Sequence, residues 1–159
     1  MKKFSSAFTM IELIFVIVVL GILAGVAVPR LAATRDDAQV AKIRGDIASI
    51  RSGISLRRSE NLMKGDVKWP DLNATAADTG FFQNILQQPL FAGNAINGWR
   101  EVTRNQTYDA CVARKCARFE YVQTPARAAA VGKPIGSFDC DHQNNTADND
   151  VATCRKLAE

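Results

Sequence analysis

The sequence predicts an α+β protein in which a long N-terminal helix packs on a small antiparallel β-sheet, with a disulfide-stabilised loop near the C-terminus. Three observations support this fold class. Residues 1–64 combine an apolar run with a helical repeat, segments typical of strands follow only after Gly65, and all four cysteines lie in that second part. The 159-residue length suits one ordinary domain, and a hydrophobic content of 47% excludes a disordered chain.

The apolar run extends from Phe8 to Val28, and its 21 residues are enough to span a bilayer as a helix. Lys2 and Lys3 precede the run, so the positive-inside rule predicts a cytoplasmic N-terminus and an outward-facing remainder. A cleaved secretory signal peptide is one alternative, but its apolar core usually has only about 7–15 residues. An ordinary uncleaved anchor is another alternative.

Glu12 places a carboxylate inside this apolar run. A charge near the bilayer centre costs about 2.5–3.5 kcal/mol, and less near a helix end, so Glu12 requires a compensating partner. A cut between Ala7 and Phe8 would create a free amine four residues before Glu12, on the same chain or on a neighbour. The pattern therefore predicts a subunit that leaves the membrane to pack against copies of itself.

The segment Ala7–Leu13, with the sequence A-F-T-M-I-E-L, is followed by the apolar helix and by Pro29. This arrangement resembles the type IV prepilin class, which includes pilins and the pseudopilins of type II secretion. The resemblance is specific from Lys2 to about Leu31 and only general beyond. One departure is that the residue before the expected cut is Ala7, where the class normally has glycine.

The resemblance implies a role for each of four residues. A prepilin peptidase cuts between Ala7 and Phe8 and methylates the new amine of Phe8. Glu12 is the glutamate that acts in filament assembly, and Pro29 is the proline that loosens the helix. Because proline lacks a backbone N–H and clashes with the preceding turn, a kink is expected at Pro29.

Four segments are predicted on this basis: a leader at 1–7, a hydrophobic transmembrane and assembly helix at 8–29, an amphipathic helical stem at 30–64 and a globular domain at 65–159. The subunit is expected in the bacterial inner membrane as a single pass with a periplasmic C-terminal domain, and then in a pilus or pseudopilus filament. Its expected partners are copies of itself, other pilin-like subunits, the prepilin peptidase, an inner-membrane assembly platform and membrane lipid.

The stem has apolar residues at intervals of three and four, which form one face of a helix: Val40, Ile43, Ile47, Ile50 and Ile54. One helix is therefore predicted from about Phe8 to about Ser59. Residues 30–64 contain eight Lys or Arg and four Asp or Glu, whereas residues 65–159 contain ten and eleven. The basic excess indicates a solvated face that contacts acidic patches on neighbours, with anionic lipid and nucleic acid as the less favoured alternatives.

The part after Gly65 contains three strand candidates, at 99–102, 118–122 and 134–138. A loop is expected at 124–133, and the apolar residues of 81–90 predict a short helix or turn that packs inward. The resemblance implies that these elements form a pilin-like α/β roll with the stem.

The even number of cysteines in an exported domain predicts disulfides. Of three pairings we favour Cys111–Cys116, which joins near neighbours, and Cys140–Cys154, which closes 15 residues and contributes about 3 kcal/mol. The second pair also resembles the C-terminal disulfide-bound loop of many pilins. Free buried thiols are an alternative, and a zinc site fits poorly because it needs closer C-x-x-C pairs.

The C-terminal loop is rich in side chains that offer hard oxygen ligands: Asp139, Asp141, Asn144, Asp148 and Asp150. Some major pseudopilins hold calcium near their C-terminus, so calcium is the one candidate cofactor. The spacing does not match an EF-hand, and a solvated polar loop is the alternative interpretation. His142, the single histidine, has no catalytic or metal-binding constellation visible in the sequence.

Asn73 begins an N-x-T acceptor and follows Asp71 by two residues, which resembles the extended acceptor of bacterial N-glycosylation. A chance occurrence in a loop explains the same pattern.

The motif content disfavours an enzyme, because the sequence has no G-x-S-x-G, P-loop or H-E-x-x-H pattern. The resemblance to the type IV prepilin class instead implies a structural filament subunit, with type II protein secretion favoured. A type IV pilus pilin for adhesion, motility or DNA uptake is the first alternative. A non-polymerising single-pass membrane-anchored binding module is the second.

Overall fold

The computed structural model describes residues 8–74, 80–93, 96–143, 145–146 and 149–158, with the side chains of 26–34 left out. The elements are, in order, α1 (Met10–Met63), β1 (Gly98–Thr103), β2 (Thr107–Val112), β3 (Lys115–Tyr121), α2 (Pro125–Val131), β4 (Phe138–Cys140) and α3 (Val151–Ala158). The four strands form one antiparallel sheet in the order β1-β2-β3-β4. The predicted α+β class is confirmed.

The chain divides into two compact units between Asp37 and Ala38, and α1 contributes residues to both. Among the residues that the structure describes, no helix is both long enough and apolar enough to cross a membrane. The kink expected at Pro29 falls among the residues whose side chains are left out, and it stays a prediction.

The core of the second unit lies between the stem part of α1 and one face of the sheet. The five apolar residues predicted to share a helix face are each at most 7% exposed: Val40, Ile43, Ile47, Ile50 and Ile54. They join a cluster of buried rings that includes Phe82, Trp99, Tyr108, Phe119 and Phe138. Because each fully buried large side chain contributes about 1.5–3 kcal/mol, this contact holds the stem on the sheet.

The sheet matches the sequence predictions in part. β1 and β3 contain the predicted strands 99–102 and 118–122, but β2 was not predicted. The prediction of a strand at 134–138 is wrong over most of its length. Gly136 has a φ of 86°, and the backbone N–H of Ser137 donates to the carbonyl of Pro134 at 3.2 Å. These residues therefore form a turn, and β4 begins only at Phe138.

The expected loop at 124–133 instead contains α2. Thr124 caps its N-terminus by accepting from the backbone N–H of Arg127 at 3.3 Å, Pro125 occupies the first turn, and Gly132 ends the helix with a φ of 67°. The Thr-Pro start and Gly end were the signals in the sequence. The C-terminal helix α3 was also not predicted.

The segment 81–90 forms the predicted inward-packing turn. Phe81 and Leu90 exchange backbone hydrogen bonds of 2.6 and 3.0 Å, which closes the segment on itself. Phe82 lies fully buried at its centre with a φ of 65°, a conformation that bulky side chains rarely adopt.

Candidate assembly segment and disulfide loop

The helix that carries the assembly segment starts at a cap made by Thr9. The carbonyl oxygen of Thr9 accepts from the N–H groups of Glu12 (3.1 Å) and Leu13 (3.2 Å), and its Oγ1 lies 3.3 Å from the Glu12 nitrogen. Thr9 and Glu12 therefore have the T-x-x-E spacing of a capping box. A carboxylate in the first turn is also favoured by the helix dipole. The cap made by Thr9 was missed at the sequence level, although the T-x-x-E spacing was visible there.

The predicted processing site is described only on its C-terminal side. Phe8 is 76% exposed, whereas Ala7 and the rest of the leader lie outside the described residues. Cleavage before Phe8 and methylation of its amine therefore stay predictions.

The first turns of α1 present an extended apolar surface. Its large hydrophobic residues are each between 37% and 79% exposed: Met10, Ile11, Leu13, Ile14, Phe15, Val16, Ile17, Val18, Val19, Leu20, Ile22 and Leu23. Contiguous apolar surface of this extent marks a site of contact with lipid or protein.

The structure contains both disulfides of the favoured pairing. Cys111–Cys116 joins directly opposed residues of β2 and β3 beside a two-residue turn. Cys140–Cys154 joins the end of β4 to α3, and both of its residues are fully buried. No cysteine is free among the residues described.

Asp139 of the candidate calcium set is engaged by groups of the chain itself. Its Oδ1 accepts from Nη2 of Arg51 (3.1 Å) and from the backbone N–H of Cys140 (2.9 Å), and it lies 3.4 Å from Nε2 of His142. The carboxylate therefore links the stem to the start of the disulfide loop.

Asp150 caps α3. Its Oδ1 accepts from the backbone N–H of Thr153 at 2.7 Å, and its Oδ2 lies 3.6 Å from Nζ of Lys115. The hydrogen bond from Thr153 holds the pKa of the Asp150 carboxyl below its ordinary value of 3.8.

Asp141, the third described member of the set, accepts from the backbone N–H of Gln143 at 2.8 Å. Asn144 and Asp148 lie outside the described residues. Calcium binding by this loop stays a prediction.

His142 lies beside the C-terminal disulfide. Its Nδ1 is 3.6 Å from Sγ of Cys154, while its Nε2 faces Asp139. A ring nitrogen of His142 and the sulfurs of Cys140 and Cys154 all lie within 4.8 Å of one another. Sequence spacing gave no sign of this grouping, because β4 and α3 are brought together only by the fold.

Asn73, the candidate glycosylation site, is only 7% exposed. Its Nδ2 donates to Oε1 of Glu101 at 2.5 Å, and its Oδ1 accepts from the backbone N–H of Phe82 at 2.7 Å. Its own backbone N–H donates to Oδ1 of Asn105 at 2.7 Å. The atom to which a glycan would be attached is therefore buried and bonded in the folded chain, and glycosylation of Asn73 stays a prediction.

Three arginines of the stem bind groups of the same chain. Arg44 donates from Nε to the carbonyl of Lys156 at 2.7 Å, and Arg51 donates from Nε to the carbonyl of Phe138 at 3.0 Å. The guanidinium of Arg58 stacks 4.8 Å from the ring centroid of Trp69. These three basic residues therefore connect the stem to the globular part.

Residues 2–28 match the prokaryotic N-terminal methylation motif. The predicted resemblance to the type IV prepilin class is confirmed.

Two kinds of known protein resemble the chain more widely. It is 35% identical over 80 residues to the type IV major fimbrial protein FimA of Dichelobacter nodosus, which is 50% of this chain and 48% of FimA. It is 37% identical over 60 residues to the type II secretion system core protein G of Pseudomonas aeruginosa, which is 38% of this chain and 42% of that protein. The chain thus spans less than half the length of the curated relatives it matches, and no solved structure matches it.

Proposed function

We propose that this protein is a structural subunit of a pilus or pseudopilus filament, stored in the inner membrane and then polymerised. The observation that carries the proposal is an apolar helix with a single carboxylate, Glu12, inside the matched methylation motif. The exposed apolar surface of α1 supports it, because such a surface needs lipid before assembly and neighbouring helices afterwards. The 21 residues of the run from Phe8 to Val28 have the length that a bilayer requires.

Glu12 sets the axial register of the filament in this proposal. A prepilin peptidase removes residues 1–7, methylates the amine of Phe8, and leaves a cation at the start of the helix. In the filament that cation pairs with Glu12 of a neighbouring subunit. The pair is strong in a low-dielectric core only when both charges are present. A subunit displaced along the filament axis would leave Glu12 and the Phe8 amine unpaired, so that position is disfavoured.

The filament serves type II protein secretion in the version of the proposal that we favour, as the similarity to core protein G suggests. The similarity to FimA extends over a longer stretch and supports a type IV pilus as the second candidate. Deletion of the gene distinguishes them, because loss of secreted proteins with intact surface fibres indicates secretion, and the reverse indicates a pilus.

The test of the Glu12 role separates charge pairing from helix capping. Glutamine also fits the capping-box pattern, so Glu12→Gln keeps any capping by this side chain but removes its charge. Glu12→Ala removes both. We expect both variants to reach the membrane fraction at wild-type abundance or above, because the apolar helix loses a costly charge. Both should give little or no sheared filament or secretion.

Four outcomes would contradict parts of this proposal. Assembly of Glu12→Gln at wild-type yield, with failure of Glu12→Ala alone, would assign Glu12 to helix capping. Wild-type assembly of Glu12→Ala would exclude the register role. Mass spectrometry of filament-associated subunits should find methylated Phe8 at the N-terminus, and an intact leader would refute the processing step. Abundant membrane-bound protein without any filament would favour the anchored binding module.

A further inference from the structure

We propose that the dithiol form of this chain binds one thiophilic divalent cation, such as Zn²⁺, through Cys140, His142 and Cys154. The site occupies the place where the oxidised chain holds its C-terminal disulfide. Cysteine thiolates and imidazole nitrogen are the ligands that Zn²⁺ prefers in proteins. The fold brings these three residues together from β4, the following loop and α3.

The spacing of the ligand atoms suits a tetrahedral ion. Nδ1 of His142 lies 3.6 Å from Sγ of Cys154. Zinc–sulfur bonds of about 2.3 Å and zinc–nitrogen bonds of about 2.0–2.1 Å at a tetrahedral angle place the two ligand atoms about 3.6 Å apart. After reduction the two sulfurs have to separate to about 3.8 Å by the same geometry, which rotation of the cysteine side chains allows.

The imidazole of His142 is oriented for this role by Asp139. Oδ1 of Asp139 lies 3.4 Å from Nε2, so a proton on Nε2 points at the carboxylate and the Nδ1 lone pair faces the sulfurs. Asp139 is itself fixed by Arg51 at 3.1 Å and by the backbone N–H of Cys140 at 2.9 Å. This is the carboxylate–histidine–metal arrangement that commonly supports zinc ligands.

The surroundings offer a fourth position and suit the charge of the ion. A cavity of about 590 Å³ is lined by Cys140, His142, Asp141 and Lys133, among others, and gives room for a water ligand. Two thiolates neutralise a divalent cation, so the occupied site carries no net charge. Both cysteines are fully buried, and a site without net charge is less costly to bury there than a charged one would be.

Metal and disulfide are mutually exclusive in this site. A dithiol reductant converts the Cys140–Cys154 disulfide into two thiols and is itself oxidised to a disulfide. Each thiol then releases its proton to solvent as its sulfur binds the ion. In a newly made chain the cysteines are still thiols, so the ion binds without a reductant and delays oxidation of this pair.

The test uses the full-length untagged chain in detergent with Cys111→Ser and Cys116→Ser, so that only Cys140 and Cys154 provide sulfur. Zn²⁺ is titrated in competition with a chromophoric chelator, with a phosphine as reductant. We expect one Zn²⁺ per reduced chain and none per oxidised chain. His142→Ala should weaken binding by more than tenfold, and Asp139→Asn by roughly tenfold. With Co²⁺ as probe, the reduced chain should show a thiolate-to-metal charge-transfer band.

A Cys140→Ser, Cys154→Ser chain that keeps Cys111 and Cys116 is the matched control. Equal Zn²⁺ affinity in that chain would overturn the proposal, because the other pair would then be the source of binding. Unchanged affinity in His142→Ala would also overturn it, and so would a reduced chain that takes up no Zn²⁺.

Discussion

Asp109 shows at the scale of one residue how the sheet tolerates a charge. The carboxylate has no exposed surface, yet it lies on the face of β2 opposite the core residues Tyr108 and Ala110. Arg118 of β3 binds it with two hydrogen bonds of 2.8 and 3.1 Å, and Arg100 of β1 contributes a third at 2.5 Å. The three residues are directly opposed across neighbouring strands, so the pair of arginines fixes the register of the sheet.

The two arginines should differ in their contribution to stability. Arg118→Met should lower the free energy of unfolding by about 3 kcal/mol, because this side chain is only 27% exposed and its loss leaves a buried carboxylate under-compensated. Arg100→Met should cost about 1 kcal/mol or less, because Arg100 is 59% exposed and screened by water. Urea unfolding followed by near-UV circular dichroism measures both, and equal losses would contradict the assignment.

Asp150 gives a pH dependence whose sign can be stated. Its folded-state pKa lies below the ordinary 3.8, so its ionised form stabilises the folded chain above that value. The contribution is lost as the pH falls below 3.8 through the folded-state pKa. Asparagine is an equally good cap without a charge, so Asp150→Asn should match the wild type near pH 7 and lose less stability in acid. Parallel urea midpoints of the two chains at pH 7 and about pH 2.5 would test this.

Asp150→Ala is the control for the cap itself. It should cost about 1 kcal/mol near pH 7, since the Thr153 N–H then loses its partner. An Asp150→Asn chain as acid-sensitive as the wild type would show that the charge contributes nothing.

At the scale of the element, α1 contains a matched pair of glycines. A Cβ on Gly53 would lie 2.5 Å from the carbonyl oxygen of Ile85, because the 81–90 turn touches the helix backbone there. A Cβ on Gly45 would meet nothing within 4 Å among the described residues. Gly53 is therefore the point where the turn docks on the stem.

Alanine at these two positions should change stability in opposite directions. Gly45→Ala should raise the free energy of unfolding by up to about 1 kcal/mol through helix propensity. Gly53→Ala should lower it by about 1–3 kcal/mol, because backbone atoms of the turn have to move. Thermal unfolding of both variants and the wild type measures the two changes in stability. A stabilised Gly53→Ala chain would mean that the turn does not rest on the helix.

The elements also show what the sequence could predict. The stem was predictable because apolar residues recur every three or four positions from Val40 to Ile54, over several helical turns. β2 was missed because Asp109 and Thr107 are residue types typical of loops. Asp109 is accommodated in a strand only because Arg100 and Arg118 on the neighbouring strands bind its carboxylate. Short helices such as α2 show little periodicity, so only their caps identify them.

The candidate site likewise has features that the local sequence reveals and features that only the tertiary structure creates. Thr9 and Glu12 are close in sequence, and the Cys140–Cys154 pair was the favoured one of three pairings, from its loop length and its resemblance to the C-terminal loop of pilins. The placement of His142 and Asp139 against Cys154 depends on strand pairing and helix docking, which no local pattern encodes. Asn73 has an exposed-loop motif, yet the fold uses its amide to join the 81–90 turn to β1.

On the scale of the whole molecule, the two disulfides should differ in their effect on stability. Replacing Cys140 and Cys154 by serine opens a loop with a sequence separation of 14 and should lower the free energy of unfolding by about 3 kcal/mol. Replacing Cys111 and Cys116 opens a separation of 5 and should cost about 2 kcal/mol by the same entropy estimate. Urea titration of the two double variants without reductant measures the difference, and the reverse order would contradict the entropic account.

The crosslinks have a mechanical consequence as well. In a chain pulled from both ends, the segments enclosed by Cys111–Cys116 and Cys140–Cys154 carry no tension, because the covalent bridges bypass them. At about 3.5 Å per extended residue, the two bridges shorten the fully extended chain by roughly 55 Å. In the proposed filament, each subunit would therefore extend less before its chain is fully stretched. The β2–β3 turn and the C-terminal loop would stay covalently closed even if the surrounding sheet were pulled apart.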